Sequence, residues 1–115
     1  MRVLVILAHP NLGSFNHAIA EASVETLRQN GHEVFFHDLY QENFTPTLPY
    51  LEIPKDAPVD LEIQRHCREL TSADGIIIVH PNWWGQPPAI LKGWVDRVIR
   101  PGVAYHCIQY IQHSN

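Results

Sequence analysis

Two short segments concentrate the residues able to do chemistry. The first is Ala8-His-Pro-Asn-Leu-Gly-Ser-Phe-Asn-His17, in which Ser14 stands where it can cap a helix. A helix starting there turns unpaired backbone N–H groups and the positive end of its dipole outward, an arrangement that suits a phosphate. Ser14 and Asn16 add hydrogen-bonding side chains. Gly13 stands alone, so the segment is neither a Walker loop nor GxGxxG, which disfavours nucleoside triphosphates and dinucleotide pyrophosphates. The plain alternative is an ordinary capped helix. The second segment is His80-Pro-Asn-Trp-Trp-Gly-Gln-Pro-Pro88. Its adjacent tryptophans suit the wall of a flat ligand or the cover of a helix end, and residue type leaves both readings open.

The surrounding pattern says how these segments are held. Val3–Ala8 is a continuous apolar run rich in branched residues, the signature of a strand covered on both faces. Ser14 then opens a helix running to about Asn30, with Phe15, Ile19, Ala22 and Thr26 on one face and Gly31 as its stop. Glu33–Leu39 reads as a second, more polar strand, completing a βαβ unit. Residues 40–58 form a long connection broken by prolines, too apolar in Phe44, Leu48, Tyr50, Leu51 and Ile53 for a free linker. A second helix is expected from about Val59 to Ser72. Its inner face carries Val59, Ile63, Cys67 and Leu70, His66 lies at the boundary, and Asp60, Glu62, Arg65 and Glu69 point outward. Gly75–Val79 reads as a buried third strand, and a third helix is expected over about Pro87–Ile99 with Ile90, Leu91, Trp94, Val95 and Val98 inward. Both chemical segments thus follow parallel strands and open on the same sheet edge, where open α/β sheets collect ligands. A phosphate beside a planar ring system is the ligand this combination fits.

Other chemistries are disfavoured. The eight histidines show neither HExxH nor a compact ligand triad. His9 and His80 both end strands and are the one pair placed to approach, but no metal is expected. Ser14 lacks the GxSxG elbow of a hydrolase nucleophile. A formal charge of −4 gives no basic face for nucleic acid or an anionic membrane, and no apolar run is long enough to span one. With 45% hydrophobic and 17% charged residues, 115 residues make one folded domain. Cys67 and Cys107 form no CxxC pair and Cys67 sits in an apolar stripe, so a cytoplasmic protein with an inert Cys67 is expected. Asn43-Phe-Thr45 matches a glycosylation sequon but has no secretory context.

The two segments also carry a family resemblance. Val3-Leu-Val-Ile-Leu-Ala-His-Pro-Asn11 with Ser14-Phe-Asn16, followed by Pro81-Asn-Trp-Trp84 and Pro88-Ala-Ile-Leu-Lys-Gly-Trp-Val-Asp-Arg-Val98, is similar to the flavodoxin-fold NAD(P)H:quinone oxidoreductases. That group includes the DT-diaphorase type and the ancillary subunits of glutathione-gated potassium efflux systems. The resemblance implies a flavodoxin-like doubly wound parallel α/β sheet and a flavin (FMN or FAD) at its carboxyl edge. His9, Ser14, Phe15, Asn16 and Ala18 would lie on the phosphate side, and Pro81, Asn82, Trp83 and Trp84 would line the ring. It further implies NAD(P)H as hydride donor, a quinone-type acceptor and a homodimer in which Tyr50 and the 40–58 connection serve the partner.

The likeness runs to Gly102-Val-Ala-Tyr105, whereas family domains continue with two more strands and a helix. Their fourth strand ends in a Gly- and Thr-rich loop at the flavin ring, and no stretch here matches it. The expectation is therefore a truncated domain over 1–105 with three strands in the order 2-1-3, then a divergent tail over 106–115 in which Cys107–Ile111 could form a substitute strand. No catalytic residue is assigned. The competing function is a non-catalytic binding or regulatory module for a transporter or a full-length homologue. An electron-carrying flavodoxin ranks below both, because such carriers are more acidic and have Ser/Thr-richer phosphate loops.

Overall fold

A computed structural model describes residues 1–54 and 56–104. Tyr105 and the 106–115 tail, with the strand considered at Cys107–Ile111, lie outside the described residues. β1 (Arg2–Leu7), β2 (Glu33–Asp38) and β3 (Gly75–Val79) make a parallel sheet in the order β2-β1-β3. Leu4 stands opposite Phe35 on one side and Ile76 on the other. Because side chains alternate along a strand, central β1 feeds two cores. Val3, Val5 and Leu7 meet Ala20 and Val24 of α1 (Phe15–Gln29), while Leu4, Ile6 and Ala8 join Leu39, Phe44, Ile63, Leu91, Trp94 and Val98 beneath α2 (Leu61–Ser72) and α3 (Ala89–Val98). That double coverage is why β1 carries no polar residue between Val3 and Ala8. Each fully buried Leu or Ile there contributes about 1.5–3 kcal/mol over exposure.

The helix boundaries have local causes. Ser14 is extended (φ −72°, ψ 160°) and its Oγ accepts the His17 amide at 3.2 Å. At the other end Gly31, at φ 83°, lets His32 N–H reach Leu27 O and its own N–H reach Arg28 O, a Schellman closure. Asp60 caps α2 by accepting the Ile63 amide at 3.0 Å.

Several expectations about faces need correction. In α1 the inward residues are His17, Ala20 and Val24, not the Phe15–Ile19–Ala22–Thr26 row, and Phe15 is 80% exposed. Both rows have helical spacing, and the small Ala20 lets the backbone lie close to β1, so packing distance decided between them. In α2, Asp60 precedes the first turn as its cap, His66 is fully buried and Glu69 turns inward to His37. Cys67 is half-buried, its thiol faces Val98 O at 3.9 Å and burial pushes its pKa up, consistent with an inert thiol. In α3, Val95 is exposed while Gly93 and Arg97 are buried. Among the described residues β3 is covered on the α1 side only, leaving Ile76 and Ile78 on its other face 43% and 42% exposed.

The 40–58 connection is latched to α3. Arg97 donates through Nε and Nη2 to the buried Glu52 carboxylate, at 3.2 and 2.7 Å, and through Nη1 to Thr45 O at 2.8 Å. The paired Glu52 carboxylate raises the Arg97 pKa further, keeping the guanidinium a permanent cation. Arg100 donates to Glu52 O at 2.8 Å. Gly93 allows the contact: a Cβ there would lie 2.2 Å from Pro46 Cβ and 2.4 Å from its backbone.

Candidate functional site

The loops after β1 and β3 leave neighbouring parallel strands on the same edge, and the Ala8 N–H to Val79 O bond at 3.0 Å continues the ladder up to their start. The chain passes from β1 to β2 on one side and reaches β3 on the other, so a topological switch point lies between them.

The β1 loop is internally braced. Asn11 Oδ1 accepts the Gly13 amide at 3.0 Å, and Ser14 N–H reaches Asn11 O at 3.0 Å. His9 Nδ1 accepts the Asn11 amide at 3.0 Å, so the neutral ring carries its proton on Nε2 as a donor. With the His17 amide taken by Ser14 Oγ and the Ala18 amide by Ser14 O, no acceptor among the described residues meets the Phe15 and Asn16 amides. Asn16 Oδ1 is buried without a partner. The loop therefore offers two amides, a helix dipole and an imidazole donor, a donor set that fits a phosphate. Ala18 is exposed in the first turn of α1.

Two residues to which the sequence assigned no role complete this corner. His17 is buried; its Nε2 donates to Asp38 Oδ2 at 3.0 Å, and its Nδ1 lies 2.8 Å from Ser14 Oγ. Asp38 Oδ1 also accepts the Gln41 amide at 3.2 Å. The Ser-x-x-His spacing at a helix start was the available signal, since the third helical residue returns to its cap.

In the β3 loop, Trp83 and Gln86 exchange backbone hydrogen bonds at 2.9 and 3.0 Å around Trp84 (φ 57°) and Gly85 (φ 75°). Positive φ at both central residues marks a type I′ turn, where Asn-Gly is the favoured pair and a bulky aromatic is strained. Trp84 stands at its tip, 101% exposed. The helix-cover reading thus fails for Trp84. Trp83 is partly exposed, and its ring lies 6.0 Å, edge-on, from His9, whose ring is 6.3 Å from His17. His9 therefore joins the two loops. Pro81 is partly buried and its carbonyl accepts from His80 Nδ1 at 2.8 Å, while Asn82 is exposed. A row of exposed aromatics beside an anion-seeking helix start suits a planar ring with a phosphate tail.

A second cluster lies beyond β2, formed by His37, Glu42, His66 and Glu69. His37 Nδ1 meets both Glu42 oxygens (3.0 and 2.8 Å) and Nε2 meets Glu69, so both nitrogens face acceptors and the ring is an imidazolium. Burial opposes that charge, but the hydrogen bonds and charges of Glu42 and Glu69 outweigh it and raise the His37 pKa. Burial likewise raises Glu42, and its hydrogen bonds to His37, with the His66 ring 3.8 Å away, more than reverse this, bringing it to about 2. His37, Glu42 and His66 are the one trio among the described residues close enough to share a cation, with ligand atoms within 4.8 Å. Two features oppose that use. Trp94 Nε1, a donor only, donates to His66 Nδ1 at 3.0 Å, which places the neutral His66 proton on Nε2, the would-be ligand atom. The His37 and His66 rings also stack at 4.0 Å and 32°, so their in-plane lone pairs do not converge. The structure does not pair His9 with His80; His9 turns to Trp83 and His80 to Pro81.

Comparison with known proteins is consistent with this geometry. A family model described as Flavodoxin-like fold matches residues 1–112. The chain is 43% identical over 108 residues to an uncharacterized NAD(P)H oxidoreductase of Haemophilus influenzae, covering 91% of this chain and 54% of that protein. It is 39% identical over 123 residues to NAD(P)H dehydrogenase (quinone) 1 of Rattus norvegicus, covering 90% and 45%. Among solved structures, an NAD(P)H:quinone oxidoreductase from Methanothermobacter marburgensis superposes with a TM-score of 0.81 at 35% identity, over 91% of this chain and 56% of that one. The chain spans about half the length of the curated relatives it matches.

Proposed function

Because the chain belongs to the flavodoxin-like fold family, among its NAD(P)H oxidoreductases and quinone reductases, we propose that it is a flavin-dependent NAD(P)H:quinone oxidoreductase. The observation that carries the reading is the meeting of the helix-start loop and the tryptophan loop at His9, on the edge where such sheets hold ligands. In this reading Phe15 and Asn16 amides, Ser14 and the His9 donor hold the phosphate of FMN or FAD, with Ala18 beside them. Pro81, Asn82, Trp83 and Trp84 then line the ring, and the two tryptophans exclude water from one side of it.

A bound flavin supplies the hydride chemistry, accepting two electrons from NAD(P)H and delivering them to a quinone-type acceptor. The protein's part is to neutralise the phosphate, orient the ring and keep it dry. Tyr50, Leu51 and Ile53 are exposed on the latched connection, which supports its use as a partner surface in a homodimer. Among the described residues no helix is long and apolar enough to cross a membrane. The reading predicts that purified protein, given FMN or FAD, takes up a yellow chromophore and oxidises NAD(P)H when a quinone is present. Protein that stays colourless with both flavins would falsify it.

A further inference from the structure

We propose that His17 is a positioning residue of the phosphate loop, turning the Ser14 hydroxyl toward a bound phosphate only when the ring takes up a proton. The inference rests on the phosphate end of the flavin site proposed above. The partners dictate the hydrogen positions. Asp38 is a carboxylate already accepting the Gln41 amide, so the proton between Asp38 and His17 belongs to His17 Nε2. A neutral His17 then has only a lone pair on Nδ1, and at 2.8 Å it takes the Ser14 hydroxyl proton. Ser14 Oγ meanwhile accepts the His17 amide. In that state the Ser14 O–H is consumed inside the loop, and the oxygen shows a phosphate nothing but lone pairs.

A proton from solvent on Nδ1 reverses the bond. The imidazolium donates from Nδ1 to Ser14 Oγ, and the freed Ser14 O–H is available to a phosphate oxygen. No other bond in the chain need change, because Nε2 still donates to Asp38. Protonation thus adds one donor at the helix start and one positive charge behind it. Among the described residues, the titratable groups facing His17 are Asp38 from the end of β2 and His9 beyond the end of β1, its ring 6.3 Å away. β3 contributes the apolar Val79 to this face. An arriving phosphate anion favours the charged ring. Phosphate binding and proton uptake at His17 are therefore reciprocal.

The test is FMN affinity from pH 7 to 8.5, followed by flavin fluorescence, with proton uptake read by calorimetry in two buffers of different ionisation enthalpy. Over this range the phosphate is already a dianion, so a pH slope reports protons on the protein. The FMN dissociation constant is expected to rise with pH, by up to tenfold per unit. Riboflavin, which lacks the phosphate, should show no slope. Ser14→Thr, which keeps a hydroxyl, should preserve the slope. Ser14→Ala, which removes the donor and leaves only the imidazolium charge, should flatten the slope and weaken FMN binding about tenfold at pH 7. The ring nitrogen NMR signals of His17 should move toward imidazolium when inorganic phosphate is added, a change that a purely structural histidine would not show. FMN bound with a flat profile and no proton uptake overturns the inference and leaves the flavin reading standing. Phosphate bound with proton uptake but no flavin leaves the inference standing and overturns the flavin reading. Binding of neither probe overturns both.

Discussion

His17 and His37 are both buried at the carboxyl edge of the sheet, and both are held by a carboxylate. They differ in what faces the second nitrogen. At His37 it is another carboxylate, Glu69, which demands a second proton. At His17 it is the Ser14 hydroxyl, which can give or receive. The first ring is therefore a fixed cation binding β2 to α2, and the second has two workable protonation states. One partner atom separates a strut from a switch, and only the switch lies beside the candidate phosphate site.

The largest effect should come from removing the strut. His37→Gln leaves Glu42 and Glu69 without their shared cation, at a cost of about 3 kcal/mol by urea denaturation, the low end for a broken buried pair because both keep some water access. His17→Gln should cost roughly half as much. Equal costs would erase the distinction.

Next comes the pH profile. The folded protein binds the His37 proton more tightly than the unfolded chain, whose ordinary value is 6.5. Its contribution is complete below about pH 6.5 and is lost as pH rises through the higher folded value. Glu42 works in the opposite direction. Its folded value of about 2 lies below the ordinary 4.5, so its contribution is complete above about pH 4.5 and is lost as pH falls toward 2. Urea midpoints should fall on both sides, and the alkaline fall should vanish in His37→Gln. An unchanged alkaline limb in that variant would mean another group carries it.

The smallest effect tests the site against the scaffold. Trp84→Asn suits the type I′ turn better and should stabilise the protein by about 1 kcal/mol while weakening flavin binding. A gain in stability with unaltered flavin affinity would remove Trp84 from the ring wall.

Much of this architecture can be read from the sequence, for identifiable reasons. β1 declares itself because a strand buried on both faces has nothing polar in it, and Ser14 and Gly31 bracket α1 through backbone chemistry confined to one turn. The inward face of α1 was misread because Phe15 outweighs Ala20 on any hydrophobicity count, although closeness to β1 favours the small residue. The His37 cluster escaped notice because its partners come from three elements, with Glu42 five residues and Glu69 thirty-two residues away. His66 and Glu69, one turn apart on α2, were the available sign that a polar face turns inward. The strained turn at Trp84 left no signal, since Trp-Gly is not a residue pair that asks for positive φ.

The latch between the 40–58 connection and α3 sets an order of events as the chain assembles. β1, α1 and β2 can come together from neighbouring segments. Thr45 and Pro46 must wait for Arg97, fifty-two residues after Thr45, and for the bare Cα of Gly93. Contacts of such sequence separation form late, because the intervening loop must close first. The connection thus seats after the β1–α1–β2 unit and is released if α3 frays.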